Sequence, residues 1–116
     1  MEIKANTVTV DESGPVVIGF ADDDKQPVNY LLLQYEATEK DAGLHIEVND
    51  QRRSGYNFVQ RIRLTDSAMF IELNSAGRQA LKTESEIKVV PSAQVSNWPS
   101  FKLKVMQLLG GLVPVV

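Results

Sequence analysis

Two runs in the first third of the chain, Val16 to Phe20 and Tyr30 to Glu36, are apolar in both strand phases. In the first, Val16, Ile18 and Phe20 stand opposite Val17 and Gly19. In the second, Leu31, Leu33 and Tyr35 stand opposite Tyr30 and Leu32. A half-exposed strand alternates apolar with polar residues, so runs of this kind belong at the centre of a sheet covered on both sides. Such cover demands another layer, and the only long helix candidate lies near the C-terminus. Between the two runs stands a short acidic turn, Asp22-Asp23-Asp24.

The remaining segments supply more strands and two helices. Glu2 to Val10 is rich in Ile, Val and Thr, which suits a strand. Ile3 and Ala5 share one phase while Val8 and Val10 fall in the other, so a bulge is expected near Asn6. Asp11 to Pro15 is a turn by composition, and Thr38 to Gly43 is a polar hairpin loop. Leu44, Ile46 and Val48 alternate with His45, Glu47 and Asn49, the period of a half-exposed strand. Asn49 to Gly55 reads as a loop. Tyr56, Phe58, Ile62 and Leu64 then mark the buried phase of one strand, which Gln60 interrupts. Met69 to Leu73 and Glu84 to Val90, the latter stopped by Pro91, complete the strands.

Ser75 to Lys82 predicts a short helix capped by Asn74 or Ser75, weakened at Gly77 by roughly 1 kcal/mol relative to Ala. Beyond Asn97, Pro99 suits a first helical turn, and Phe101, Val105, Leu108 and Leu109 recur at helical spacing opposite Lys102 and Lys104. Gly110-Gly111 is expected to end that helix through left-handed backbone, before an apolar tail, Leu112 to Val116. No linker or repeat divides the 116 residues, so one domain, residues 1–116, is expected. The expected fold is α+β: a single curved, mainly antiparallel sheet of about six or seven strands, with a short helix and a C-terminal helix packed on one face.

Composition acts mainly by exclusion. With no cysteine there is no disulfide framework, thiol nucleophile or thiolate metal site. No Gly-rich phosphate loop, HExxH, GxSxG or paired catalytic carboxylate motif is present, and His45 is the only histidine. No enzymatic activity, cofactor or metal is therefore expected. The opening MEIKANTVTV lacks the order of a signal peptide, and no apolar run approaches the ~20 residues that span a bilayer. A soluble, cytoplasmic protein without a membrane partner is the expectation.

The net charge of −3 conceals an asymmetry. Residues 1–50 hold 11 Asp or Glu against 3 Lys, and residues 51–116 hold 9 Lys or Arg against 4 Asp or Glu. An acidic face toward a basic protein partner is one reading of this distribution. Arg52, Arg53, Arg61 and Arg63, with Tyr56 and Phe58 nearby, invite a single-stranded nucleic-acid reading. The two aromatics share the apolar phase opposite Arg61 and Arg63, however, which assigns them to the core, and no nucleic-acid partner is expected.

A family pattern is visible in the order of these pieces. Gly19-Phe20-Ala21-Asp22 with its further acids, then Asn29-Tyr30-Leu31-Leu32-Leu33-Gln34-Tyr35, resembles the Immunity protein 10 family of bacterial polymorphic toxin systems. Gly43-Leu44-His45-Ile46-Glu47-Val48-Asn49-Asp50-Gln51 adds to the likeness, as does Phe70-Ile71-Glu72-Leu73 followed by a short helix. The resemblance covers roughly Val17 to Val90 and excludes the Trp98 helix and the tail. It implies a non-enzymatic antidote that binds a cognate toxin and blocks its active site, and it fixes no inhibitory residues.

Candidate contacts therefore come from this chain alone. Asp22, Asp23 and Asp24, with Glu39 and Asp41, are expected on one toxin-facing surface at an end of the sheet. Clustered carboxylates repel one another, and a partner's Lys or Arg relieves that repulsion and speeds encounter. The alternative is a solvated turn; divalent-cation binding lacks the ligand spacing of an EF-hand loop. Trp98, Phe101, Leu112 and Val113 are either core anchors or a homodimer seam. A small-ligand-binding sheet with an apolar pocket remains the alternative function.

Overall fold

The computed structural model describes residues 1–116. Nine strands and two α-helices follow one another as β1 (Glu2–Ala5), β2 (Thr7–Asp11), β3 (Val16–Ala21), β4 (Tyr30–Tyr35), β5 (His45–Val48), β6 (Asp50–Tyr56), β7 (Val59–Leu64), β8 (Met69–Leu73), α1 (Ser75–Leu81), β9 (Glu86–Pro91) and α2 (Trp98–Leu109). The α+β class and the mainly antiparallel pairing match expectation. The strands are divided, though, between a five-stranded sheet ordered β2-β3-β4-β5-β6 and a four-stranded sheet ordered β1-β9-β8-β7. Only β1 and β9 pair in parallel as named strands.

Two asparagines mark where the chain passes from one sheet to the other. Asn6, where a bulge was expected, is the crossing from β1 to β2. Its backbone N–H donates to Ala21 O and its side chain to Asp22 O at 2.7 Å. The phase slip between Ala5 and Val8 is thus a change of sheet. Asn57, with φ of 62°, is the second crossing, a left-handed conformation that Asn tolerates better than most residues.

That corner breaks the strand expected from Tyr56 to Leu64. Tyr56 ends β6 and is 53% exposed, so it is not the core residue its phase suggested. The expected loop Asn49 to Gly55 is mostly β6, entered through Asn49 at φ 63°. Gln60 is exposed at a register shift between Val59 and Arg61, which explains its interruption of the apolar phase.

Both sheets contribute to one contiguous core. From the five-stranded sheet come Val16, Ile18, Phe20, Leu31, Leu33, Tyr35, Ile46 and Val48; from the other come Ile3, Ala5, Ile62, Met69, Ile71, Leu73, Ile87 and Val89. Helix α2 adds Trp98, Phe101, Val105 and Leu109. The Phe101 ring meets Phe20 edge-on at 5.5 Å and stacks on Trp98 at 5.6 Å. Trp98 Nε1 donates to Thr65 O, so the polar end of the indole has its partner.

Local signals place the helix ends. Asn74 caps α1 by accepting from Gly77 N at 2.8 Å, as its side-chain type favours. Lys82 closes α1 in left-handed conformation at φ 54°, and Arg53 Nε donates to Leu81 O at 2.7 Å, placing a cation on the helix C-terminus. Helix α2 ends differently from expectation. Gly110 has φ of −63°, right-handed, because the chain continues through turns whose Leu112 and Val113 N–H groups both donate to Leu109 O. The tail then runs beside β7: Ile62 N donates to Pro114 O, Leu64 N to Val116 O, and Val116 N to Ile62 O. An edge that would otherwise present unpaired backbone groups is covered by the chain itself.

Candidate functional site

The expectation of cover on both sides of β3 and β4 fails on one face. Their inner face is buried, while the outer face of the five-stranded sheet carries no other element and is half-exposed. Cross-strand pairing assembles three rows on it. Thr7, Ala21 and Tyr30 form the first, Thr9, Gly19, Leu32, Glu47 and Ser54 the second, and Asp11, Val17, Gln34, His45 and Tyr56 the third. Small residues at the centre and polar ones toward β5 and β6 make this face unlike a buried one.

Toward the end of the face that the 22–29 loop borders is a depression of about 350 Å³, lined by Thr9, Gly19, Ala21, Leu32, Tyr30 and Glu47, with Asp23, Asp24 and Pro27 from that loop. Gly19 is essential to its shape. A Cβ there would stand 2.8 Å from Thr9 Oγ1 and 3.1 Å from Leu32 Cδ2. Tyr30 forms one wall, its hydroxyl donating to Glu47 Oε2 at 2.6 Å. Burial and that carboxylate push the Tyr30 phenol up to about 12, since both disfavour the phenolate. Asn49 fixes the base of the wall by accepting from Tyr30 N at 2.7 Å and donating to Asn29 Oδ1.

The three neighbouring aspartates divide their labour. Asp22 accepts from Val28 N and Asn29 N, both at 3.0 Å, and so closes the 22–29 loop. Asp23 accepts from Lys25 N at 2.8 Å and from Gln26 N; these backbone bonds hold its carboxyl below the usual range. Asp24 is exposed and in no ion pair. Val28, in the same loop, is 78% exposed.

Glu39 and Asp41 are exposed beside a short 3-10 turn at Lys40–Ala42, after β4. The 22–29 loop precedes β4, so the two acidic groups lie at opposite ends of a six-residue strand, about 20 Å apart. The structure does not bring them onto one end of the sheet. What they share is the sheet itself. The side-chain carboxylates outside any ion pair, Asp11, Asp22, Asp23, Asp24, Glu36, Glu39, Asp41 and Glu47, all belong to the five-stranded sheet and its loops.

The basic residues of the second half are largely engaged. On the outer face of the four-stranded sheet, Arg61 pairs with Glu72 at 2.7 Å and Arg63 with Glu86 at 3.4 Å, the Arg63 guanidinium lying 4.0 Å over the Phe70 ring. Arg52 binds Asp50 at 3.0 Å and helps hold that carboxyl down to about 2. With Arg53 on the α1 terminus, no free basic strip forms. His45 meets the Tyr56 ring edge-on, centroids 4.8 Å apart, and no group of three or more acidic or histidine side chains converges to hold a metal.

Trp98 and Phe101 are 5% and 6% exposed in the chain's own core, so they are unavailable to a dimer seam. Leu112 and Val113 are half-buried against that core. Sequence reasoning missed Gly19, Tyr30, Leu32 and Glu47 as surface candidates. The signal was there: Gly19 and Ala21 share a phase with Gln34, Glu47 and His45 across the sheet, a mixture that a second apolar layer would not tolerate.

No helix is long and apolar enough to cross a membrane. The sequence pattern of the Immunity protein 10 family matches residues 3–98. No curated protein and no solved structure matches the chain.

Proposed function

The chain belongs to the Immunity protein 10 family, and from that premise we propose that it is a non-enzymatic antidote that binds a cognate bacterial toxin and occludes its active site. The binding surface is the outer face of the five-stranded sheet with the loops at its two ends. One observation carries this choice of surface: the carboxylates outside any ion pair all belong to the five-stranded sheet and its loops, whose outer face no other element covers, whereas the charges on the outer face of the four-stranded sheet pair with one another. A basic partner gains charge complementarity there, and an acidic antidote gains association rate from it.

Within that surface the roles differ. Asp24 near one end of β4, and Glu39 and Asp41 at the other, are free to meet a partner's Lys or Arg. Asp22 and Asp23 shape the loop that presents Asp24 and Val28. An apolar residue exposed among carboxylates suits a contact that is desolvated on binding. As an antidote of this family it would be made in the cytoplasm, beside or against the toxin it neutralises.

Co-expression with the product of the adjacent toxin gene, followed by affinity capture and a growth assay, tests the function. Capture of the toxin with restored growth is the expected result. A neighbouring toxin that neither binds nor loses toxicity refutes the reading.

A further inference from the structure

The depression on the outer face has a chemistry that selects its occupant. Its floor is apolar, made by the bare backbone of Gly19 together with Ala21 and Leu32. Carboxylates lie along its border, Glu47 beside Tyr30 and Asp23 and Asp24 from the 22–29 loop, and none of its lining residues is basic. Neither Glu47 nor Asp24 has a cationic partner within the chain.

An apolar trough ending in unpaired carboxylates matches a group with an aliphatic stem and a cationic head. The open form of the trough decides between a free small molecule and a side chain. Small-ligand sites bury most of their ligand, roughly 70–90% of its surface. A depression lying open on a sheet face does not, unless the rest of the enclosure arrives with the occupant.

We infer that this depression receives one long cationic side chain, lysine or arginine, projecting from the bound toxin. Its methylenes lie over Gly19, Ala21 and Leu32, and its charge meets Glu47 and Asp24. The partner's surface around that side chain completes the enclosure, and removing water there strengthens the ion pairs. Tyr30 acts as a positioning residue, since its hydroxyl holds the Glu47 carboxylate at the edge of the trough. The inference rests on the toxin-binding reading above and specifies the subsite it uses.

The test uses the full chain and the neighbouring toxin, rendered inactive, in titration calorimetry at two salt concentrations. Glu47→Gln and Asp24→Asn change charge without changing volume, and each weakens binding by about ten-fold or more. Gly19→Val fills the trough and weakens binding while leaving both carboxylates in place. Circular dichroism separates that loss from misfolding, and the two charge variants stand on their own if Gly19→Val does not fold. Replacing surface Lys and Arg of the toxin one at a time by Ala identifies one residue whose loss is not additive with Glu47→Gln. Toxin binding that all three variants leave unchanged overturns the inference while the antidote function stands. Loss of binding in Gly19→Val alone, with no coupled toxin cation, means an apolar occupant and also overturns it. Self-association of the free chain that Gly19→Val abolishes assigns the trough to a second copy and overturns it as well. Wild-type chain that fails to bind the toxin refutes the function itself, and the inference with it.

Discussion

Replacing Asp22 by Ala removes the two acceptors that close the loop between β3 and β4. Its Oδ1 and Oδ2 each take one backbone N–H, from Val28 and Asn29, at 3.0 Å. A hydrogen bond to a charged group contributes about 1.5–3 kcal/mol when well shielded and nearer 0.5–1.5 kcal/mol in the open. The Val28 bond is exposed and the Asn29 bond partly buried, so the pair is worth about 2 kcal/mol by that scale. For a chain of this length, an unfolding entropy of about 2 cal/mol/K per residue converts this to a fall in Tm of about 8 °C. Asp24→Ala removes an exposed carboxylate outside any ion pair and stays within about 0.5 kcal/mol of wild type. Thermal unfolding followed by circular dichroism at pH 7, with Trp98 fluorescence as a second probe, measures both. Equal effects of the two substitutions, or no effect of Asp22→Ala, would refute the division of labour among the three aspartates.

Three further outcomes are expected. Gly77→Ala destabilises the protein despite the better helix propensity of Ala, because a Cβ there stands 2.8 Å from Phe58 Cβ and 3.0 Å from Phe58 O; a rise in Tm would show that α1 is free to move away from Phe58. Removing Pro114 to Val116 uncovers the β7 edge and promotes self-association, read as a concentration-dependent mass by analytical ultracentrifugation; a strictly monomeric truncate contradicts it. The Tyr30 phenol, pushed up to about 12 first by burial and then by Glu47, titrates lower in Glu47→Gln but stays above its ordinary value, as phenolate absorbance would show. Its folded-state pKa is raised, so its contribution to stability is full below about 10 and is lost as pH rises toward 12.

What the sequence determined about this protein is what depends on neighbours a few residues away. Period-2 patterning in Leu44 to Val48 and Met69 to Leu73, the Asn74 cap and the helical spacing of Phe101, Val105 and Leu109 are local, and each corresponds to an observed element. The buried phase of β3 and β4 was legible for the same reason, as was the order of pieces by which the family resemblance was read. What only the tertiary structure decided is how those elements meet. One left-handed residue, Asn57, turns a single expected strand into the edges of two sheets, and patterning on either side of it carries no trace of that turn. The outer phase of β3 and β4 reads as apolar in one dimension, but pairing sets Gly19 and Leu32 beside Thr9 and Glu47, and no helix lies over them. Tail residues Pro114 to Val116 look like exposed surplus until their backbone finds the β7 edge. Whether an apolar segment is core, seam or open site depends on what packs against it, and that is fixed by long-range pairing.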